Sequence, residues 1–170
     1  ASTISQQLAR QLFVGVRSRN MFQAVSQKIK EWVIAIRLER QYTKEEIIMM
    51  YLNIYDFGYN ADGIRSAASI FFNKKPQELD IQESALLIGM LKNSSLFNPL
   101  RRPEMVKKRR NVVLSQMTKN GYLTENQKDS LQKTPLGIDY HPQSHREGLA
   151  TYFRAYLQKF MKTWLQNNPK

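Results

Sequence analysis

The chain has 170 residues, and its 42% hydrophobic and 11% aromatic content is typical of a folded domain and excludes a disordered polypeptide. Lysine and arginine (26) outnumber aspartate and glutamate (14), so the net charge of +12 predicts an anionic partner: nucleic acid, a membrane surface or a phosphorylated substrate. The lack of cysteine excludes disulfides, a thiolate nucleophile and cysteine-ligated zinc, and no apolar run reaches the ~18 residues of a membrane-spanning helix.

Helical periodicity dominates the sequence, and strand-like alternation is not sustained, which predicts a mainly α fold. Thr3 and Gln6 have the spacing of a capping box, so a first helix is predicted to begin there. A second helix is predicted to end near Gln41. Both helices carry apolar stripes that we expect to be packed: Ile4, Leu8 and Leu12 in the first, and Ile29, Trp32, Val33 and Ile36 in the second.

Three more helices are predicted in the middle of the chain. A capping box at Thr43 and Glu46 begins one of them, and a turn-rich connection over residues 56–63 leads to the next. Asp80 and Glu83 cap the third. Because residues 84–91 carry no charge, we expect this helix to be central in the core.

The remaining chain is predicted to contain a loop over residues 92–103, a helix from Pro103 to near Gly121, and a short helix capped by Thr124 and Gln127. Residues 134–142 are predicted to be an extended linker. An amphipathic helix then follows, which needs a partner surface such as another domain, a second chain or a lipid interface. Its apolar residues are Leu149, Phe153, Tyr156, Leu157, Phe160 and Trp164.

Two polar sets are candidates for chemistry, and each also has a structural interpretation. Lys28 and Glu31 share one side of the second helix, either as a surface ion pair or as a partly desolvated pair at the margin of the packed stripe. The polar face of the first helix is either solvated or substrate-binding; it comprises Thr3, Gln6, Gln7 and Arg10. For Arg109 and Arg110, we expect a structural role in which they bridge to neighbouring residues, rather than anion binding.

Other common catalytic patterns are absent from the sequence. It contains no Gly-rich phosphate loop, no G-x-S-x-G, no H-E-x-x-H and no zinc-ligand spacing. His141 and His145 are four residues apart but straddle Pro142, so a helical metal-binding pair is not expected.

Four segments, in order, resemble the peptidoglycan glycosyltransferase domain of bacterial class A penicillin-binding proteins. They are S-T-I-S-Q-Q-L-A-R at residues 2–10, Lys28 to Glu31 of an R-K-x-x-E motif, residues 44–53 with Gly58, and R-R-N-V-V-L at residues 109–114. The resemblance implies a mainly α, lysozyme-like fold. The family's E-D-x-x-F-x-x-H-x-G motif, which carries the catalytic base, is not in the sequence, so we expect a piece of a larger enzyme that is incomplete at the N-terminus and inactive alone.

The family reaction implied by this resemblance is the polymerisation of lipid II. The 4-hydroxyl of one sugar attacks the anomeric carbon of the growing glycan, the configuration inverts, and polyprenyl pyrophosphate leaves. Glu31 matches the second essential glutamate, which is near the pyrophosphate, and Lys28 matches the phosphate-binding lysine. Ser2, Thr3, Gln7 and Arg10 match the other substrate-binding positions, and Lys92 is included because it lies on the loop that borders the family's cleft. Arg17 and Arg19 belong to a basic loop that we expect to close over phosphate or to touch lipid headgroups.

Two departures from the family pattern remove or alter a cation. Gln27 stands where the motif has arginine, and Arg10 stands where many members have lysine. The resemblance implies no tightly bound cofactor and no metal held by the protein itself, although a divalent cation such as Mg²⁺ at the pyrophosphate is compatible with it.

The implied partners are lipid II, the nascent glycan strand, the membrane surface and a transpeptidase domain, at the outer face of the bacterial cytoplasmic membrane. We expect a glycosyltransferase domain over residues 1–133, and a linker and helix toward the transpeptidase domain over residues 134–170. The main alternative, supported by net charge alone, is a basic helical nucleic-acid-binding module. A third is a structural or membrane-interface segment built on the C-terminal helix.

Overall fold

The computed structural model describes residues 2–15, 20–142 and 151–167, and within these ranges the fold is mainly α, as predicted. Apart from one isolated bridge between Asp56 and Asp62, those ranges contain no β-structure. The helices are α1 (Ile4–Ala9), α2 (Met21–Gln41), α3 (Lys44–Ile54), α4 (Gly63–Phe72), α5 (Ile81–Met90), α6 (Pro103–Lys119), α7 (Glu125–Lys133) and α8 (Thr151–Asn167). A π-helical turn (Arg10–Val14) extends α1, and a 3₁₀ turn (Pro76–Glu78) precedes α5.

Local capping explains where these helices begin. The boxes at Thr43 of α3 and Thr124 of α7 are complete, as is the one at Asp80 of α5. At α1 only half of the predicted box forms, because the Thr3 hydroxyl accepts the Gln6 backbone N–H, while the Gln6 side chain accepts from Ser2 instead (3.0 Å). Each complete box satisfies backbone donors that the first turn leaves open.

The main core joins α4, α5 and α6 with the turn that follows α3. As predicted, the uncharged stretch of α5 is largely buried, although Ile88 is exposed. Residues of this core are Phe57, Ala61, Ala67, Ile70, Phe71, Phe72, Leu86, Leu87, Met90 and Val106. Removing this much apolar surface from water is the principal stabilising contribution.

A second, smaller core holds α1, α2 and α3 together. Its buried members are Leu8, Ala9, Leu38, Ile47 and Tyr51. Because Leu8 and Ala9 are fully buried against α2 and α3, the polar residues of α1 are fixed beside the middle of α2.

The predicted packing face of α2 is wrong. Ile29, Trp32, Val33 and Ile36 are 47–54% exposed, whereas the buried residues of α2 are Glu31, Ala35 and Leu38. At 3.6 residues per turn, the exposed stripe lies on roughly the opposite side of the helix. The stripe of α1 is also only partly packed, since Leu8 is buried but Ile4 and Leu12 are exposed.

The segment that follows α7 is extended, as predicted, but it also packs against the main core. Leu136, Ile138 and Tyr140 contact the core, and the backbone N–H groups of Asp139 and His141 donate to carbonyls in α4 (2.9 and 2.8 Å). The domain boundary at residue 133 stays a prediction.

The predicted C-terminal amphipathic helix is present as α8, with an exposed apolar face that includes Phe153, Tyr156, Phe160 and Trp164. Leu149 and His145, like Arg17 and Arg19, lie outside the described residues. None of the helices within the described ranges is both long and apolar enough to cross a bilayer.

Candidate functional site

A cleft of about 530 Å³ lies between the start of α1 and the first half of α2. Both polar and apolar side chains line it. The lining residues are Ser2, Arg10, Met21, Ala24, Val25, Gln27, Lys28 and Glu31.

The centre of the cleft is an ion pair between Lys28 and Glu31. The Lys28 ammonium donates to the Glu31 carboxylate, with Nζ to Oε2 at 2.5 Å, and also to the Ser2 hydroxyl at 3.4 Å. Glu31 is only 6% exposed, so the pairing compensates a carboxylate that burial would otherwise destabilise. Ser2 in turn donates to Gln6 (3.0 Å), so the lysine is held from two sides.

Gln7 supports the cleft from behind. Its amide donates to the Ser2 carbonyl (3.4 Å), and its oxygen accepts from the Tyr51 hydroxyl (2.9 Å). Burial raises the pKa of Tyr51 to about 12, so the hydroxyl stays protonated and donates at neutral pH. Tyr51 is thus a supporting residue that sequence reasoning missed, because only the packing of α3 on α1 brings it there.

Arg10 supplies a second cation at the mouth of the cleft. It is exposed at the start of the π-helical turn, and among the residues that the structure describes it forms no ion pair. Arg10 and Lys28 together outnumber the one carboxylate of the cleft, and Gln27 adds no charge. The surplus positive charge favours an anion.

Two predicted site residues lie elsewhere. Thr3 is exposed and caps α1 rather than lining the cleft. Lys92 follows α5, where its ammonium lies 5.9 Å from the Phe97 ring centroid and lines a different hollow of about 270 Å³ with Arg109. The structure therefore brings Ser2, Arg10, Lys28 and Glu31 together, with Gln7 behind them.

Comparison with known proteins decides the family. The transglycosylase family profile matches residues 1–118. The chain belongs to the transglycosylase family. This transglycosylase domain is of the class A penicillin-binding protein type, and its residues 28–31 lie within the matched region.

The curated relatives of this transglycosylase domain are much longer proteins. Penicillin-binding protein 1A of Escherichia coli is 42% identical over 141 residues, which cover 83% of the chain and 16% of the relative. Penicillin-binding protein 1F of Bacillus subtilis is 34% identical over 161 residues, covering 95% of the chain and 21% of the relative. The chain thus spans about a fifth or less of these relatives.

A solved structure supports the lysozyme-like, mainly α fold. The crystal structure of penicillin-binding protein 1A from Haemophilus influenzae matches with a TM-score of 0.53 and 27% identity, covering 78% of this chain and 19% of that one. The fold prediction is confirmed.

Proposed function

We propose that this transglycosylase domain acts in peptidoglycan glycan polymerisation by binding the pyrophosphate of a lipid-linked sugar donor in the cleft between α1 and α2. The observation that carries the proposal is the Lys28–Glu31 pair, buried on the carboxylate side and open on the ammonium side, with Arg10 beside it. The donor is lipid II or a growing glycan on polyprenyl pyrophosphate, and the linkage formed has inverted anomeric configuration.

The chemistry assigns a separate role to each charge. As the bond between the anomeric carbon and the pyrophosphate oxygen breaks, negative charge builds on the leaving group, and fixed cations stabilise it. Lys28 acts as a point charge and Arg10 as a two-pronged donor. Glu31 is engaged by Lys28, which suits positioning of the ammonium rather than proton abstraction from the attacking 4-hydroxyl.

A divalent cation fits this cleft only when phosphate shares it. Among the described residues there is no group of three or more acidic, histidine or cysteine side chains that could hold a metal, and Glu31 is the single carboxylate of the cleft. Mg²⁺ commonly uses one carboxylate together with substrate phosphates. Glu31 is therefore the residue proposed to hold such a cation against the pyrophosphate.

The apolar part of the cleft is proposed to face the lipid. Met21 and Val25 line it, and the neighbouring Phe22 is 88% exposed and continuous with the apolar stripe of α2. A polyprenyl chain that leaves the pyrophosphate meets this surface directly. The proposed setting is the outer face of the bacterial cytoplasmic membrane, in a parent protein with a transpeptidase domain.

Binding of polyprenyl pyrophosphate in detergent micelles tests the site. Lys28→Ala is expected to weaken binding about tenfold or more, because it removes a charge-assisted contact. Lys119→Ala removes the same charge from the last turn of α6, outside the cleft, and is expected to bind normally. Lys92→Ala tests the prediction that Lys92 binds substrate: weaker binding would support it, and unchanged binding would contradict it. Equal losses in Lys28→Ala and Lys119→Ala, or preference for competing duplex DNA, would contradict the assignment.

Polymerisation is tested in the complete parent protein with lipid II as substrate. Glu31→Gln keeps the shape of the side chain but not its charge, so it frees the Lys28 ammonium and is expected to abolish glycan synthesis. Retained wild-type turnover in Glu31→Gln would show that the carboxylate has no role in the reaction.

A further inference from the structure

A second polar pocket lies away from the α1–α2 cleft, between the turn that follows α3 and the loop that follows α5. Its volume is about 270 Å³. The residues that give it chemical character are Asp56, Tyr59, Ser94, Ser95, Asn98 and Arg101.

Asn98 is the buried polar group of this pocket. It is 6% exposed, and its side-chain oxygen accepts the backbone N–H groups of Leu100 (3.1 Å) and Arg101 (3.0 Å). The side-chain NH₂ is left with no acceptor among the residues that the structure describes, yet it is not sealed from solvent, since no fully buried side-chain atom lacks a partner. Because Asn98 lines the pocket and its oxygen is fixed by two hydrogen bonds, its NH₂ is available for a ligand acceptor.

The other polar groups also have unused bonding capacity. One Asp56 oxygen accepts the Gly58 N–H (2.6 Å), which leaves the second oxygen as an acceptor. In the described part of the chain, the hydroxyls of Ser94 and Ser95 and the guanidinium of Arg101 form no hydrogen bond or ion pair. The charges of Asp56 and Arg101 balance, so the pocket suits a neutral ligand that both donates and accepts hydrogen bonds.

We propose that this pocket binds an N-acetylated amino-sugar unit of a glycan strand. Sugar hydroxyls pair with Asp56 and the two serines, and the acetamido oxygen accepts from the Asn98 amide. The inference rests on the proposed function, which makes a glycan the product of the domain. A phosphate group fits less well, because the Asp56 carboxylate would repel it.

The helix α3 links this pocket to the cleft. Tyr51 of α3 donates to Gln7, which in turn bonds Ser2 of the cleft. Asp56 follows Tyr51 by five residues, which span at most about 17 Å even when fully extended. Asp56 of the pocket thus lies within about 17 Å of Tyr51, the residue that supports the cleft through Gln7.

Titration of the 170-residue chain in detergent micelles with an N-acetylglucosamine tetramer, followed by NMR and calorimetry, tests the proposal. Asn98→Asp keeps the oxygen that accepts from Leu100 and Arg101, replaces the NH₂ donor by an acceptor and adds one negative charge, so binding is expected to weaken roughly 3- to 10-fold. Asn93→Asp is the matched control. It places the same charge in the same loop, and its oxygen likewise accepts a backbone N–H, that of Leu96 (2.8 Å), but it does not line the pocket.

A second variant keeps the test decisive if Asn98→Asp unfolds. Replacing Ser94 and Ser95 together by alanine removes two hydroxyls without touching the turn around Asn98, and the same loss of affinity is expected. Three results would each contradict binding of the sugar in this pocket. They are failure of wild type to bind the tetramer, equal affinities in the pocket variants and Asn93→Asp, and loss of tetramer binding in Lys28→Ala. None of these results bears on pyrophosphate binding, and the assay with polyprenyl pyrophosphate tests the proposed function separately.

Discussion

Arg110 is a fully buried cation whose charge is stabilised by carbonyl oxygens rather than by a carboxylate. Its guanidinium donates to the carbonyls of Gln132 (3.1 Å), Thr134 (3.1 Å) and Pro135 (3.0 Å), and to the side chain of Asn111. Burial lowers the pKa of Arg110. These bonds join α6 to the end of α7, which confirms the predicted anchoring role of this arginine.

Arg110→Met is expected to destabilise the domain by about 3–5 kcal/mol, because it removes the donor shared by three backbone carbonyls and the Asn111 side chain, at about 1 kcal/mol each. Urea unfolding measures the loss. Arg109→Met is the matched control: Arg109 is half-buried and makes one long bond to the Gly89 carbonyl (3.3 Å), so about 1 kcal/mol or less is expected. Equal destabilisation by the two substitutions would contradict the anchoring role.

Tyr51 links stability to alkaline pH. Its folded-state pKa of about 12 exceeds the ordinary value of 10.0, so the unfolded chain loses the phenolic proton first. The stabilising contribution is therefore complete below pH 10 and is lost as the pH rises from 10 toward 12.

Tyr51→Phe removes both this titration and the hydrogen bond to Gln7, and it is expected to cost about 1 kcal/mol at pH 7. The difference in unfolding free energy between wild type and Tyr51→Phe should shrink between pH 10 and 12. Tyr122→Phe, at an exposed position, controls for the loss of a phenol. A pH-independent difference would show that Tyr51 titrates alike in both states.

At the scale of elements, the ends of helices were predictable, whereas the packed face of α2 was not. Helix ends depend on local capping, as at Thr43 and Glu46, and these signals are present in the sequence itself. The apolar stripe of α2 has helical spacing, but spacing does not tell a face that packs from one that stays exposed. Glu31 lies on the packed face because α1 and α3 occupy that side, which only tertiary structure shows.

The connection between α3 and α4 depends on one glycine. Gly63 has φ +80°, and its N–H donates to the Tyr55 carbonyl (2.9 Å). A Cβ at this position would lie 2.4 Å from the Asn53 carbonyl oxygen, so the backbone would have to shift. The turn-rich composition predicted a connection here but not this close approach.

Gly63→Ala is expected to destabilise the domain by more than about 3 kcal/mol, since it combines a disfavoured conformation with a backbone clash. Gly58→Ala is the control, because Gly58 has a similar φ of +82° with no atom within 4 Å of the added Cβ, and should cost only about 1–2 kcal/mol. Thermal unfolding of both variants separates the cost of the left-handed backbone conformation, which they share, from the cost of the clash, which only Gly63→Ala introduces. Similar losses would mean that Asn53 moves aside freely.

At the scale of the whole molecule, features that depend on local sequence composition could be predicted, whereas contacts between residues far apart in the chain could not. The mainly α fold and the buried α5 follow from periodicity and lack of charge. The ion pair between Lys28 and Glu31 could be predicted from their spacing and from the family motif. The docking of residues 136–141 on α4 and the support of Gln7 by Tyr51 join residues 44 or more positions apart, which periodicity does not encode.

The exposed apolar stripe of α2 has a consequence for the chain in solution. Phe22, Ile29 and Trp32 are exposed along one side of a single helix, so the patch is continuous, and continuous apolar patches promote association. We expect the chain to self-associate in buffer without detergent, to become monomeric in detergent micelles, and to associate more weakly in the triple variant Phe22→Ser, Ile29→Gln, Trp32→Gln, which keeps the exposed face of α8. Sedimentation velocity measures both changes.

The matched control replaces exposed apolar residues outside this stripe, with Met49→Gln, Leu100→Gln and Tyr122→Ser, and is expected to associate like wild type. Because the stripe makes few packed contacts, the triple variant should keep its unfolding free energy within about 0.5 kcal/mol per substitution. Association as strong in the triple variant as in wild type would place the contact elsewhere, and a large loss of stability would show that the stripe is packed. Net charge does not prevent this association, since +12 is spread over the chain while the stripe itself is neutral at these three positions.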